Sequence, residues 1–313
     1  MKSDKPDWSE KCWRDMLIYQ RKAIYREDTL EMLAAWIGMK PGLTIVDVGC
    51  GLGYLGYTYW KYFGQGGKYI GIDSMPKLLA DAREAANDWA VDGKAEFVEG
   101  DAYALPLDDN SVDLAMCQTL LMHLERPADA LGEMIRVVKP GGWIVCKEPD
   151  NLSAQMAVPF WSLPEVAIDD FLLSRKIYYL ANKGRIKLGR GDNSVGRKVP
   201  HMLTKLGLTG VDIRLNDRLY AFEPPYETDL QRKGLDNIKQ QHLNEERRRV
   251  MMEREREEFI AGGGTGEEYD RIEALSDKLL PAFSEQIDNQ TYFACGPGGM
   301  YITKGQKPTS QNE

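Results

Sequence analysis

Eight residues, Val46-Asp47-Val48-Gly49-Cys50-Gly51-Leu52-Gly53, restrict the fold of this chain more than any other feature. Leu43 to Val48, with Ile45, Val46 and Val48, is an apolar run that reads as a short buried strand. The alternating glycines predict a tight turn into a helix starting near Tyr54. Glycine lets the backbone take left-handed angles and lets a ligand approach where any Cβ would block it. A helix N-terminus beyond the turn offers unpaired N–H groups. Asp47, just ahead of the glycines, repels a phosphate and suits a ligand with a cationic end.

The rest of the chain alternates strand and helix. Residues 8–37 are predicted as one helix, ended by Pro41-Gly42. Lys68 to Ile72 is a second strand that closes on Asp73. Pro76 then opens a helix to about Val91. Ala95 to Val98 is a third strand, followed by Glu99-Gly100-Asp101-Ala102, and Ser111 to Cys117 is a fourth. A helix over 126–138 precedes a fifth strand, Trp143 to Lys147. This rhythm implies parallel βαβ units with right-handed crossovers. After Glu148-Pro149 the pattern loosens. Gly196-Arg197-Lys198-Val199-Pro200 starts a helix, Thr209 to Leu215 is a sixth strand, and 226–288 is mostly helical and charged. Tyr292 to Thr303 is predicted as one last strand, interrupted by Gly296-Pro297-Gly298-Gly299.

Composition excludes several classes. A chain of 313 residues holds one large α/β domain with insertions or two smaller ones. A net charge of -8 disfavours non-specific nucleic-acid binding, so no nucleic-acid partner is expected. The run Glu245 to Glu258 mixes both signs, which suits a solvated helix with i,i+4 ion pairs better than a nucleic-acid face. Five cysteines, scattered and without a CxxC pair, point to neither a zinc site nor a disulfide framework, and no metal is expected. No apolar run approaches the roughly 18 residues of a membrane span. The first residues, Met1-Lys2-Ser3-Asp4-Lys5, lack an apolar signal core, so a reduced cytoplasmic setting is the default.

Gly51-Leu52-Gly53-Tyr54-Leu55-Gly56 also fits the GxGxxG dinucleotide fingerprint, and Asp73 sits where that fold places its ribose acid. An NAD(P)-dependent oxidoreductase is therefore a rival reading. Asp47 opposes it, because a pyrophosphate there is repelled. Asp101, a third acid at a third strand end, suits a base edge. Three such acids fit a cationic ligand rich in N–H and O–H donors.

The combined pattern resembles the class I S-adenosylmethionine (SAM) dependent methyltransferases. It is carried by Val46 to Gly53, Gly71-Ile72-Asp73-Ser74-Met75, Glu99-Gly100-Asp101-Ala102, Ser111-Val112-Asp113-Leu114-Ala115, Leu121-Met122-His123-Leu124 and Arg136-Val137-Val138-Lys139-Pro140-Gly141-Gly142. These lie in the family's order and spacing. The flavour is that of small-molecule enzymes similar to the ubiquinone and menaquinone biosynthesis methyltransferases. The resemblance implies a Rossmann-like α/β fold: a seven-stranded, mostly parallel sheet in order 3-2-1-4-5-7-6, strand seven antiparallel, with helices on both faces. It divides the chain into an N-terminal helical lid over 1–40, a SAM-binding core over 41–148, and an insertion over 149–195. Residues 196–215 and 290–304 would complete the sheet, 216–289 form a charged helical insertion, and 305–313 a tail.

The resemblance also implies roles. Gly49, Gly51 and Gly53 would line the methionine part of SAM, with Asp47 near its ammonium. Asp73 would hold the ribose hydroxyls beside Ser74, and Met75 would pack on the adenine. Asp101 and the Ala102 N–H would read the adenine edge, and the Gln118 carbonyl would touch the methionine portion. The expected reaction is methyl transfer to an O, N, S or C nucleophile of a small organic acceptor. His123 is the candidate general base if the nucleophile arrives protonated, against a reading in which it only packs its loop. Tyr19, Tyr25 and Trp161 are candidates to close over the acceptor, against a reading as core aromatics. Neither Asn-Pro-Pro-Tyr nor Asp-Pro-Pro-Tyr follows the fourth strand, where Cys117-Gln118-Thr119-Leu120 stands. That departs from the amino-methylating protein and nucleic-acid enzymes of the class, which remain an alternative beside a non-enzymatic platform. Oligomeric state is not fixed by the sequence, and a homodimer is compatible with it.

Overall fold

A computed structural model describes residues 14, 17–19, 25–156, 160–216, 220–296 and 299–309. In its first half strands and helices alternate: α1 (Glu27–Ile37), β1 (Thr44–Val48), α2 (Tyr54–Phe63), β2 (Lys68–Asp73), α3 (Pro76–Trp89), β3 (Lys94–Glu99), β4 (Val112–Gln118), α4 (Pro127–Val137) and β5 (Val138–Pro149). There follow α5 (Asn151–Met156), β6 (Phe160–Trp161), α6 (Ile168–Lys187), α7 (Val199–Lys205), β7 (Thr209–Leu215) and β8 (Tyr220–Phe222). The chain closes with α8 (Asp229–His242), α9 (Glu245–Gly262), α10 (Gly266–Asp288), β9 (Ala294–Gly296) and β10 (Met300–Gln306). The main sheet has seven strands in the order β3-β2-β1-β4-β5-β10-β7. Counted within that sheet this is 3-2-1-4-5-7-6, as expected. β10 runs antiparallel to both β5 and β7, while β1 to β5 pair in parallel.

The sheet is covered on both faces. Val46, Val48, Ile72, Ala115 and Cys117 point toward α4 and α7, where Leu131, Met134, Val199 and Leu203 are buried with them. Ile45, Leu114, Met116, Val145 and Ile302 point the other way, against α1, α2 and α3. The period of two along each strand thus sorts successive residues between two cores. Among the described residues no helix is long and apolar enough to cross a membrane.

Three sequence expectations need correction. The helix predicted over 8–37 does not run unbroken: Arg26 is extended (φ -110, ψ 138) and α1 starts only at Glu27. The Tyr25 hydroxyl is drawn instead to Gln118. The predicted last strand is two strands in different sheets. β9 pairs with β6 and β8 in a small three-stranded sheet, and only β10 joins the main one. The sequence gives no warning of this, since β6 and β8 are too short to show alternation.

The third concerns the charge run, which is more than a solvated helix. A Cβ at Gly184 of α6 would overlap the Glu258 carbonyl of α9, and one at Gly262 would overlap the Leu180 carbonyl. The two backbones are therefore in direct contact. Glu258 is buried between Arg254 at 3.2 Å, Arg185 at 3.5 Å and Arg190 at 3.5 Å. Among the described residues, the i,i+4 pairs within the run are Arg249 with Glu253 and Arg254 with Glu258. Arg248 and Arg256 reach across to Asp277 and Asp270 of α10.

Candidate functional site

The glycine turn stands at the carboxyl end of β1, where open α/β sheets place their ligands. Gly49, Gly51 and Gly53 all have left-handed angles, φ 70, 53 and 71. The three are not equivalent. A Cβ at Gly49 would lie 2.8 Å from Leu120 and one at Gly53 2.9 Å from Phe97, so both are held by packing. A Cβ at Gly51 would meet nothing within 4 Å. Its open side is the face from which a ligand can reach the backbone.

Asp73, at the end of β2, ties this turn to the next one. Its carboxylate accepts the Gly51 N–H at 2.9 Å and the Met75 N–H at 2.9 Å. Burial holds its carboxyl above the usual range, and those backbone bonds oppose the shift. Ser74 is exposed and Met75 half-buried at the mouth of α3. Asp101 is exposed beyond β3, with Oδ1 accepting the Tyr103 N–H at 2.9 Å, and Ala102 beside it is half-buried. Asp47 lies beneath the turn, 1% exposed, accepting the Tyr69 hydroxyl at 2.6 Å. Burial first, and the Asp47 charge second, keep that phenol protonated.

The loop after β4 forms the next wall. Gln118 is buried, and its side-chain Oε1 accepts the Tyr25 hydroxyl at 2.5 Å. His123 ends a short 3-10 turn, Leu121–His123, and its N–H donates to the Leu120 carbonyl. Two residues here escaped the sequence reading. Glu148, fully buried at the end of β5, accepts the N–H groups of Leu120 and Leu121, both at 2.9 Å, and of Met122 at 3.3 Å. It thereby holds the turn that carries His123. Thr119 takes φ 51, a left-handed angle that costs a β-branched residue of order 1–3 kcal/mol. Its hydroxyl donates to the Gln118 carbonyl at 2.7 Å. Nothing in the sequence singles out a threonine for that conformation. Glu148 had a signal, an acid separated by one residue from the apolar run Trp143 to Cys146.

The structure therefore brings the turn, Asp73, Ser74, Met75, Asp101, Ala102, Gln118 and Tyr25 to one sheet edge. Tyr19 lies elsewhere, its hydroxyl packed on Gly234 of α8. The backbone of Trp161 lies in β6, and its side chain is outside the described residues. A cleft of about 610 Å³, lined by Thr44, Lys68, Ser111 and Arg136, sits at the opposite, amino edge of the sheet, away from these residues. Among the described residues no His, Cys, Asp and Glu side chains cluster as metal ligands.

Known proteins resemble this chain in the same region. Residues 46–146 match a family model described as a methyltransferase domain. An uncharacterised methyltransferase of Schizosaccharomyces pombe is 40% identical over 115 residues, 35% of this chain and 41% of that protein. A demethylmenaquinone methyltransferase of Oceanobacillus iheyensis is 34% identical over 133 residues, 42% of this chain and 54% of that one. The chain thus spans about half or less of the curated relatives it matches. Among solved structures, a complex of the Haloferax volcanii Trm112 methyltransferase activator with a methyltransferase aligns at TM-score 0.52 and 19% identity, covering 96% of each chain. The Bacillus YcgJ protein aligns at 0.50 and 14%, covering 91% of this chain and all of that one. At such identities these two speak for the fold alone.

Proposed function

We propose that this chain, whose core is a class I methyltransferase domain, moves a methyl group from SAM to a nucleophile of a small organic molecule. The observation that carries the reading is the placing of Asp47, Asp73 and Asp101 at the carboxyl ends of three adjacent strands, around a glycine turn open at Gly51. That edge carries negative charge. It favours a sulfonium and an ammonium and opposes the diphosphate of a nicotinamide dinucleotide.

The residues present fit the donor. Gly49, Gly51 and Gly53 would line its methionine part, above the buried Asp47. Asp73, already an acceptor for two backbone N–H groups, has further lone pairs for ribose hydroxyls. Met75 and Ser74 would flank the adenosine, and Asp101 with the Ala102 N–H would meet the adenine edge. The Gln118 carbonyl would touch the methionine portion, with Thr119 fixing its direction.

SAM, when bound, supplies a methyl group already activated by its positive sulfur. The protein then has to align the acceptor in line with the S–CH3 bond and keep water out. Alignment of this kind supplies roughly 7–11 kcal/mol of barrier lowering. Tyr25 and the insertions after β5 form the cover. His123, held by the turn that Glu148 organises, takes the proton of an acceptor that arrives protonated. The names of the quinone-methylating relatives support a small aromatic acceptor in the same class. A cytoplasmic setting without a nucleic-acid partner agrees with the net charge of -8 and the scattered cysteines.

Equilibrium dialysis against labelled SAM tests the reading. Retention at micromolar concentration, undiminished by excess NADH, is the expected outcome. A folded protein that retains NADH and not SAM would overturn it.

A further inference from the structure

Gln118 and Lys147 face each other across β4 and β5 as register partners. They lie on the sheet face that also carries Met116, Val145 and Ile302, beneath α1. Strand spacing puts such neighbours about 4.8 Å apart at the backbone. Both side chains are almost wholly buried, 4% and 3% exposed. The Gln118 amide is engaged on one side only. Its Oε1 accepts the Tyr25 hydroxyl, while Nε2 is buried with no hydrogen-bond partner. Setting the amide the other way round changes the labels and not the deficit, since one end still has no counterpart. A buried amide left in this state has given up its hydration without a replacement.

The Lys147 ammonium lies 3.7 Å from the centre of the Tyr25 ring and 3.4 Å from Oδ1 of Asn216, which follows β7 at the same edge. Tyr25 also packs edge-on against Tyr59, with ring centres 5.9 Å apart, which fixes the hydroxyl that orients Gln118. Two donor groups, an amide N–H2 and an ammonium, therefore converge below an aromatic cover. They stand at the carboxyl ends of the strands beside the glycine turn.

We infer that Gln118 and Lys147, oriented by Tyr25, receive an anionic oxygen, a carboxylate or a phenolate, at this edge of the site. The inference rests on the methyl-transfer reading, which puts two carriers of such an oxygen here: the amino-acid end of the donor and an acidic group on the acceptor. Out of water, a charge-assisted hydrogen bond is roughly twice as strong as a neutral one, so the site discriminates against acceptors or donor analogues that lack the charge. Lys147 and Gln118 would then be binding residues for the reaction, and Tyr25 a positioning residue.

Calorimetric titration of the full chain separates the possibilities, using three probes: S-adenosylhomocysteine, 5′-methylthioadenosine, which lacks the amino-acid end, and benzoate added in the presence of S-adenosylhomocysteine. A donor carboxylate at the site predicts that Lys147→Met weakens S-adenosylhomocysteine at least tenfold and leaves methylthioadenosine unchanged. An acceptor anion predicts unchanged S-adenosylhomocysteine and loss of benzoate binding. Lys147→Arg retains binding in either case, which a loss of packing alone would not give. Gln118→Leu carries the same two arms if Lys147→Met does not fold. Folded variants that bind all three probes like the wild type overturn the inference and leave the methyltransferase reading standing. A wild type that ignores S-adenosylhomocysteine overturns that reading instead. Benzoate alone then decides the anion site, supporting it if Lys147→Met abolishes binding and refuting it if the wild type binds none.

Discussion

Residues 44–149 and the helical region 168–288 solve the same problem, burying apolar surface, by different means. In the first, local rules place the glycine turn and the acids around it. Strands end in acids, glycines turn the chain at φ above zero, and each helix packs on a strand beside it. In the second, position depends on fit between distant segments. α6 and α9 touch backbone to backbone at Gly184 and Gly262, and Glu258 is shared by three arginines from two segments. The lesson is that the first region tolerates changes that spare its few strand-end residues. The helical half tolerates little at its contact line.

The largest expected effect attacks that contact line. Gly184→Val forces a side chain into the Glu258 carbonyl, and overpacking of this kind costs about 3 kcal/mol or more. Urea unfolding should show the helical region melting first, separated from a main-sheet transition close to that of the wild type. A single transition shifted as a whole would mean that the two regions are one cooperative unit. Next in size is Asp73→Ala, which removes the acceptor shared by Gly51 and Met75. It should weaken S-adenosylhomocysteine roughly tenfold or more, about 1.4 kcal/mol, with the melting transition still cooperative. Burial raises the Asp73 carboxyl above the usual aspartate range, against the pull of its backbone hydrogen bonds, so its charge is lost earlier as pH falls than an ordinary aspartate's would be. Affinity should therefore begin to fall at a higher pH than an ordinary aspartate would give.

Two smaller tests sharpen the contrast within the helical half. Thr265 caps α10, exchanging side-chain and backbone bonds with Glu268. Thr265→Ala should cost about 1 kcal/mol in the first transition and leave ligand affinity unchanged. His242, packed edge-on against Phe283 at 6.1 Å between ring centres, is held below 6.5 by burial and by Arg248. The unfolded chain takes up that proton first, so stability is full above about 6.5 and declines as pH falls below it. Melting curves across that range should show the decline in the wild type and lose it in His242→Phe.

How much was legible in the sequence follows the same division. Thr209–Leu215 and the helix starts at Tyr54 and Pro76 fall where their apolar runs, glycines and prolines put them. Asp73 and Asp101 stand out in the sequence because an acid close behind an apolar run marks a strand end, and both lie at or just beyond one. Thr119 does not, because a strained angle leaves no trace in residue type. The β9–β10 division was hidden, since a two- or three-residue strand shows no alternation and its partners lie over 70 residues away. The charge run looked solvated because the glycines that bring α6 and α9 together mean nothing until the two helices are paired.

The most direct measurement is a calorimetric titration of S-adenosylhomocysteine into the wild type, Asp73→Ala and Thr265→Ala. If the glycine turn and its strand-end acids bind the donor without help from the helical region, the wild type and Thr265→Ala bind with equal, micromolar affinity and Asp73→Ala at least tenfold more weakly. Equal affinity in all three, or heat evolved only with a nicotinamide dinucleotide, would contradict that claim.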